Sequence, residues 1–323
     1  MPLRHRARPS PPPVAKAAAA SPPSAKPEAD LVRTERSLYA DILQIKQQRH
    51  LERLGIAFYD GLTRIQWSYN GDGVFHAAST MKLAVLVAVF RQIHRGELTL
   101  EAPVHIRNRF DSVVGDAPPF SLDVGGEQSR LVARKINRTL TLGQLAVEMI
   151  TTSSNLATNL LIDVVSVPAI QQALEELRVD GIKVVRKVDD RAAHQAAINN
   201  MVTADGLLRL LRLIVEGRVY SPEISGQLLE MLLKQRYKSG IPAGLPGTAQ
   251  VAHKTGNIST VHHDAGIVFI GERRPYGIVI LTQFPSKVGR TTAVADLSRG
   301  IFQTLVSMAK SAPVEPPREP KTA

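Results

Sequence analysis

Phe75-His-Ala-Ala-Ser79-Thr-Met-Lys82-Leu-Ala-Val-Leu-Val-Ala-Val-Phe90 is the stretch around which this chain is organised. From Ser79 onward it predicts a buried helix. Leu83, Val85, Leu86, Val87, Val89 and Phe90 make it apolar nearly all round, and alanines fill the close contacts. Lys82 nevertheless sits in the first turn, three residues after Ser79. At ~100° per residue, positions i and i+3 share a face, which brings the amine within reach of the hydroxyl. A lysine in such a helix is costly to bury charged, and desolvation lowers its pKa toward the neutral base. Ser79 stands at the helix start, where free backbone N–H groups favour developing negative charge. Together these are the parts of an activated serine nucleophile. The same residues also read as an N-cap serine and a snorkelling surface lysine. A second Ser-x-x-Lys, Ser307-Met-Ala-Lys310, lies near the end of a C-terminal helix, so the spacing alone does not decide.

Composition narrows the alternatives. The chain has 323 residues, 44% hydrophobic and 21% charged, enough for a substantial core. No apolar run approaches the ~18 residues that a membrane-spanning helix needs. The net charge is +11, but the basic residues are spread along the chain and only 5% of residues are aromatic. Nucleic-acid binding would want a basic patch with stacking platforms, so it is not expected. Without cysteine there is no disulfide framework, thiolate chemistry or cysteine metal site.

Along the chain, residues 1–30 hold eight prolines and read as a disordered tail without a clear signal peptide. Residues 312–323, with four prolines, read likewise. The expected domain is 31–311. A helix through Leu38–Leu51 leads to strands Leu54–Asp60 and Thr63–Tyr69. Helices are expected over Leu142–Ile150, Leu156–Val165, Pro168–Leu177, Thr203–Ile214 and Pro222–Lys234. Strands Gln250–Lys254, Asp264–Ile270 and Gly277–Gln283 follow, with a closing helix near Thr292–Met308. Pairing the strands from both ends of the chain gives an α+β fold. It has one antiparallel sheet covered by the first and last helices, with an all-α lobe inserted between. The α/β lobe is expected over 31–95 and 245–311, and the helical lobe over 96–244.

Two further motifs lie in order. Ser153-Ser-Asn155 falls at a helix junction, where capping is the ordinary role of such residues. Lys254-Thr255-Gly256-Asn257 ends a strand, where a turn glycine is ordinary. Ser-x-x-Lys, Ser-x-Asn and Lys-Thr-Gly in this order are the signature of class A β-lactamases and penicillin-binding proteins. The chain resembles the class A enzymes over about residues 36–310, including Gly96-Glu-Leu-Thr-Leu-Glu-Ala-Pro103, Met149–Leu161 and Lys254 through Gly266. The resemblance implies a two-lobed β-lactamase/D,D-peptidase-like fold with the site between the lobes. It makes Ser79 the acylated nucleophile, Lys82 its base or proton relay, and Ser153 the donor to the departing lactam nitrogen. Asn155 would bind the substrate's side-chain amide. Lys254 and Thr255, in the strand segment with Gly256, would hold its carboxylate, and Lys254 would help keep Lys82 deprotonated. The oxyanion hole would be the N–H groups of Ser79 and Asn257.

The resemblance breaks in one loop. Class A enzymes activate the deacylating water with the glutamate of Arg-x-Glu-x-x-x-Asn. Here the stretch is Val185-Arg186-Lys-Val-Asp189-Asp190-Arg191-Ala-Ala-His194, with Asn199-Asn200 beyond. Asp189 or Asp190 could take the glutamate's place; as ordinary loop residues they would pair with Arg186 or Arg191. The leading expectation is a serine hydrolase that opens β-lactam amides without metal or cofactor, as a monomer, in the periplasm or outside the cell. The alternative is a D-alanyl-D-alanine carboxypeptidase, a penicillin-binding protein or a slowly deacylating penicillin sensor. From a different class, the chain could be a basic envelope-binding protein with a degenerate site. His262-His263-Asp264 is not read as a metal site, because adjacent strand residues point to opposite faces. The segment Phe110–Arg130 is expected to reshape the cleft beside Ser153.

Overall fold

The structure, a computed structural model, describes residues 26–289 and 291–311. The chain begins with α1 (Lys26–Gln48), β1 (Arg53–Asp60), β2 (Gln66–Tyr69), β3 (Phe75–His76) and α2 (Lys82–His94). The middle holds β4 (Pro103–His105), α3 (Arg130–Ala133), β5 (Thr139–Thr141), α4 (Leu142–Thr151), α5 (Asn155–Val165) and α6 (Val167–Glu176). Then come β6 (Ile182–Lys183), α7 (Arg191–Gln195), β7 (Met201–Val202), α8 (Ala204–Val215) and α9 (Pro222–Leu233). β8 (Gln250–Ile258), β9 (Val261–Ile270), β10 (Arg273–Gln283) and α10 (Ala293–Ser311) close the fold.

The terminal strands form one antiparallel sheet, as the sequence led us to expect, and its order is β2-β1-β10-β9-β8. Alternation sorts its side chains between two cores. Ile56 opposite Ile280 and Phe58 opposite Ile278 face α1 and α10, where Leu38, Ile42, Leu297 and Ile301 meet them. Ala57 opposite Val279 faces the other way, into the core shared with the helical lobe. Each fully buried Leu, Ile or Phe contributes roughly 1.5–3 kcal/mol.

Several boundaries shift for identifiable reasons. α1 starts at Lys26, inside the stretch expected as a tail; residues 1–25 and 312–323 lie outside the described residues. β2 starts at Gln66 instead of Thr63 because Asp60 captures the turn. Its carboxylate accepts from Thr63 N–H at 3.2 Å and Thr63 Oγ1 at 2.7 Å, and pairs with Arg273 at 2.8 Å. The expected lobe boundary at 95 puts α2 with the sheet, but α2 packs against α4, α5, α6 and α9. A helix apolar all round must be enclosed all round, and other helices do that here. Among the described residues, no helix is long and apolar enough to cross a membrane.

Candidate active site

Ser79 does not begin an α-helix. It lies in a 3-10 turn, Ala78–Met81, and α2 starts only at Lys82. Three bonds hold the approach to this turn: Ala77 N–H to Asn200 O (2.8 Å), Ala78 N–H to His76 Nδ1 (3.1 Å), and His263 Nε2–H to His76 O (3.0 Å). The His263 tautomer follows from its other bond, in which Nδ1 accepts the Thr282 N–H at 3.1 Å. Burial pushes its pKa down to about 4, so the ring is a neutral strut at physiological pH. Ala78 has φ 44°, Ser153 φ 61° and Asp189 φ 61°. Left-handed non-glycine residues cost about 1–3 kcal/mol each and persist where the surroundings over-determine them.

Lys82 is fully buried, and its Nζ meets Ser153 O at 2.6 Å, Asn155 Oδ1 at 2.9 Å and Ser153 Oγ at 3.2 Å. The amine is thus tethered across the cleft, a set of partners that Ser-x-x-Lys spacing could not reveal; the hydrogen bond to Ser79 expected from that spacing is not among those of the described residues. Lys254, also fully buried, places its Nζ 3.1 Å from the same Ser153 Oγ and 2.9 Å from Thr255 O. Desolvation, and then the charge of Lys254, hold the Lys82 pKa well below the ordinary lysine value, against the opposing pull of Glu127 and Asp189. Desolvation likewise lowers Lys254, to about 7, with Asp264 resisting. A neutral lysine amine keeps two N–H donors and a lone pair. Ser153 O and Asn155 Oδ1 can take the hydrogens, leaving the lone pair for a hydroxyl proton.

Ser153 and Asn155 do not cap α5. Ser154 does, accepting from Ala157 N–H at 3.0 Å, while Glu127 accepts from Leu156 N–H at 2.9 Å. Their neighbours' capping leaves Ser153 and Asn155 turned to Lys82. Glu127 belongs to the segment expected to reshape the cleft, and that segment also secures the opposite wall. There Ser112 Oγ–H (2.8 Å) and Val113 N–H (3.0 Å) donate to Asp190.

This separates the two aspartates. Asp190 is 1% exposed and also caps α7 by accepting from Ala193 N–H at 3.1 Å. Its carboxylate is a structural acceptor, which corrects its candidacy as a general base. Neither aspartate forms an ion pair with Arg186 or Arg191 among the described residues, which corrects the alternative expectation for both. Arg186 instead donates to Ile198 O, Lys187 O and Asn199 Oδ1. Asp189 is exposed at the cleft, where Asn155 Nδ2 approaches its carboxylate at 3.4 Å.

Asn159 and Asn200 are positioning residues the sequence reading passed over. Asn159 clamps Val188 with two bonds, 2.9 Å and 2.7 Å. Asn200 Oδ1 accepts from Val185 N–H (2.8 Å) and Arg186 N–H (3.1 Å), while its own carbonyl holds Ala77. Both asparagines were visible in the sequence, but nothing in their spacing tied them to a loop wall or a serine turn.

Thr255 pairs with Asp264 across the β8–β9 ladder, and exposed Asn257 follows at the cleft rim. Between them, Gly256 lets β8 approach the Ser79 turn. An added Cβ would lie 2.9 Å from Thr80 Cγ2 and 3.1 Å from Thr80 N. Gly256→Ala is therefore expected to cost about 1–3 kcal/mol by overpacking, read as a lowered Tm. An unchanged Tm would show that the turn can yield.

The fold is two-lobed, with a buried lysine beside the Ser79 turn and a second buried lysine on the facing edge strand. Residues 37–305 match the family described as the Beta-lactamase enzyme family, and the chain belongs to it. A Streptomyces albus G Beta-lactamase is 26% identical over 266 residues, 78% of this chain and 80% of that one. A Rhodobacter capsulatus Beta-lactamase is 27% identical over 186 residues, 56% of this chain and 57% of that one. Among solved structures, an acyl-enzyme complex of a PBP-A mutant with penicillin G is 26% identical. It covers 86% of this chain and 97% of its own, with a TM-score of 0.71. A variant of the last common ancestor of Gram-negative class A β-lactamases shares the fold at TM-score 0.73 and 22% identity, covering 84% of this chain and 99% of its own.

Proposed function

We propose that this protein opens β-lactam amides through an acyl-enzyme on Ser79, in the manner of class A enzymes. The observation that carries the reading is the convergence of two buried, deprotonation-prone lysines on Ser153 beside the Ser79 turn. Lys82 takes the Ser79 proton as Oγ attacks the lactam carbonyl. The N–H groups of Ser79 and Asn257 receive the oxyanion, and Ser153 passes a proton to the departing nitrogen. Lys254, Thr255 and Gly256 form the side that takes the substrate carboxylate, and Asn155 takes the side-chain amide. Asp189, the cleft carboxylate left free by the capping role of Asp190, activates the deacylating water. No cofactor, nucleic acid or membrane enters this reading, which carries with it a monomer in the periplasm or outside the cell.

A second reading, a slowly deacylating penicillin-binding protein or D-alanyl-D-alanine carboxypeptidase, is favoured by the loop. Asp189 is one methylene shorter than glutamate and meets Asn155 only at the long 3.4 Å. The likeness to PBP-A lends it weight. Intact-protein mass, followed after mixing with a penicillin and a chromogenic cephalosporin, separates the two. Fast hydrolysis predicts a transient adduct absent from Ser79→Ala. It also predicts an Asp189→Asn variant whose adduct decays about 10²-fold more slowly. A lasting adduct in the parent selects the second reading. An unchanged decay in Asp189→Asn removes the aspartate from the mechanism.

A further inference from the structure

The cavity beside Ser79 has a volume of about 290 Å³, and its walls include Asn155, Asn257, His76, Arg191 and His194. Lys254 and Thr255 do not line it, so it extends away from the side that takes the substrate carboxylate in the proposed reaction. Its far wall is richer in donors than a pocket for an apolar side chain requires. We infer that this end is an anion subsite, taking a carboxylate carried on the acyl side chain of the substrate. The inference rests on the proposed β-lactam reading and names the substrate class it favours.

Three side chains converge on it. Arg191 is exposed and makes no hydrogen bond or ion pair among the described residues, although two aspartates precede it in the chain. Asp190 is consumed by Ser112, Val113 and Ala193, and the charges of both aspartates act on Arg186, so the guanidinium of Arg191 is left over. His76 accepts the Ala78 N–H at Nδ1, which puts its hydrogen on Nε2 as a donor. His194 is held by a 3.3 Å bond from Nδ1 to Asn199 Oδ1, an oxygen that Arg186 Nη2 also fixes at 3.1 Å. Asp189 stands in the same wall as the one opposing free carboxylate, and its charge is also felt by Lys82. An incoming carboxylate would therefore find a guanidinium, an imidazole donor and a second imidazole held in place by Asn199. Such charge-assisted contacts are the stronger class of hydrogen bond.

The test uses a matched pair, benzylpenicillin and α-carboxybenzylpenicillin, which differ by one carboxylate on the acyl side chain. Second-order acylation rates are measured on the parent, and equilibrium binding is measured on Ser79→Ala. Both should favour the dianion by about tenfold, consistent with one partly exposed charge-assisted contact. The ratio should shrink as salt rises. In a folded Arg191→Gln variant it should fall to near one, and His194→Gln should lower it partway. A ratio near one in the parent, or an undiminished ratio in Arg191→Gln, overturns the subsite while leaving the acylation reading intact. Failure of both penicillins to acylate the parent or bind Ser79→Ala overturns the β-lactam reading and the subsite with it.

Discussion

Lys82→Ala is expected to slow acylation of Ser79 by about 10³-fold, within the range for loss of a positioned general base. The expectation follows from burial. Lys82 is fully buried, its amine bonded to Ser153 O and Asn155 Oδ1, and desolvation drives it toward the neutral form. Stopped-flow or mass-resolved acylation at sub-saturating penicillin reads the loss directly. A variant within tenfold of the parent would mean that the proton leaves Ser79 by another route. The pH profile carries the same logic. Acylation should fall on the acid side, as Lys82 takes a proton. It should fall again above about 7, where Lys254 loses the charge that pairs with the substrate carboxylate. Saturating anionic substrate favours charged Lys254 and should move the alkaline limb upward. Lys254→Gln removes a neighbouring positive charge and should move the acid limb to higher pH.

Asp264→Asn should lower stability by about 3 kcal/mol, the low end for breaking a buried charged partner, and drop Tm by roughly 6–12 °C. Asp264 is fully buried, with its oxygens 2.9 and 3.0 Å from His253 Nδ1, and it accepts the Ile241 N–H at 2.8 Å. The amide replaces an acceptor with a donor aimed at another donor. Gly240 leaves no slack, because even a Cβ there would lie 2.3 Å from Asp264 Oδ2. Asp264 also supplies the negative charge that holds Lys254 up against desolvation, so the alkaline limb should fall below about 7. A calorimetric scan and the acylation profile test both halves. An unmoved limb would show that Lys254 does not feel this carboxylate across the strand.

How much of this was legible beforehand depended on whether the signal was local. The pairing of the terminal strands in one antiparallel sheet could be read because β-branched runs sit at both ends of the chain and a helical period fills the middle; the strand order could not. The lysine of Ser79-x-x-Lys82 was readable as buried because its whole helix is apolar. What the lysine touches was not, because Ser153 and Asn155 lie some seventy residues on and only the fold brings them in. Capping, the ordinary role weighed for Ser153 and Asn155, falls to Ser154 between them, since the three are equivalent to any propensity rule. The aspartates looked interchangeable in sequence. Ser112 and Val113, from a loop with no periodicity at all, decided which of them was spent.

Asn200 is an engineering constraint. One residue holds the Asp189 loop with its side-chain amide and the Ser79 approach with its backbone carbonyl. A glutamate-bearing loop transplanted from a relative would therefore import more than a base. If the graft ended short of residue 200 it would inherit this junction intact. If it replaced residue 200, the newcomer would have to reproduce both contacts at once, or the serine's backbone would be retuned along with the loop. The seam for any such exchange lies before Asn200.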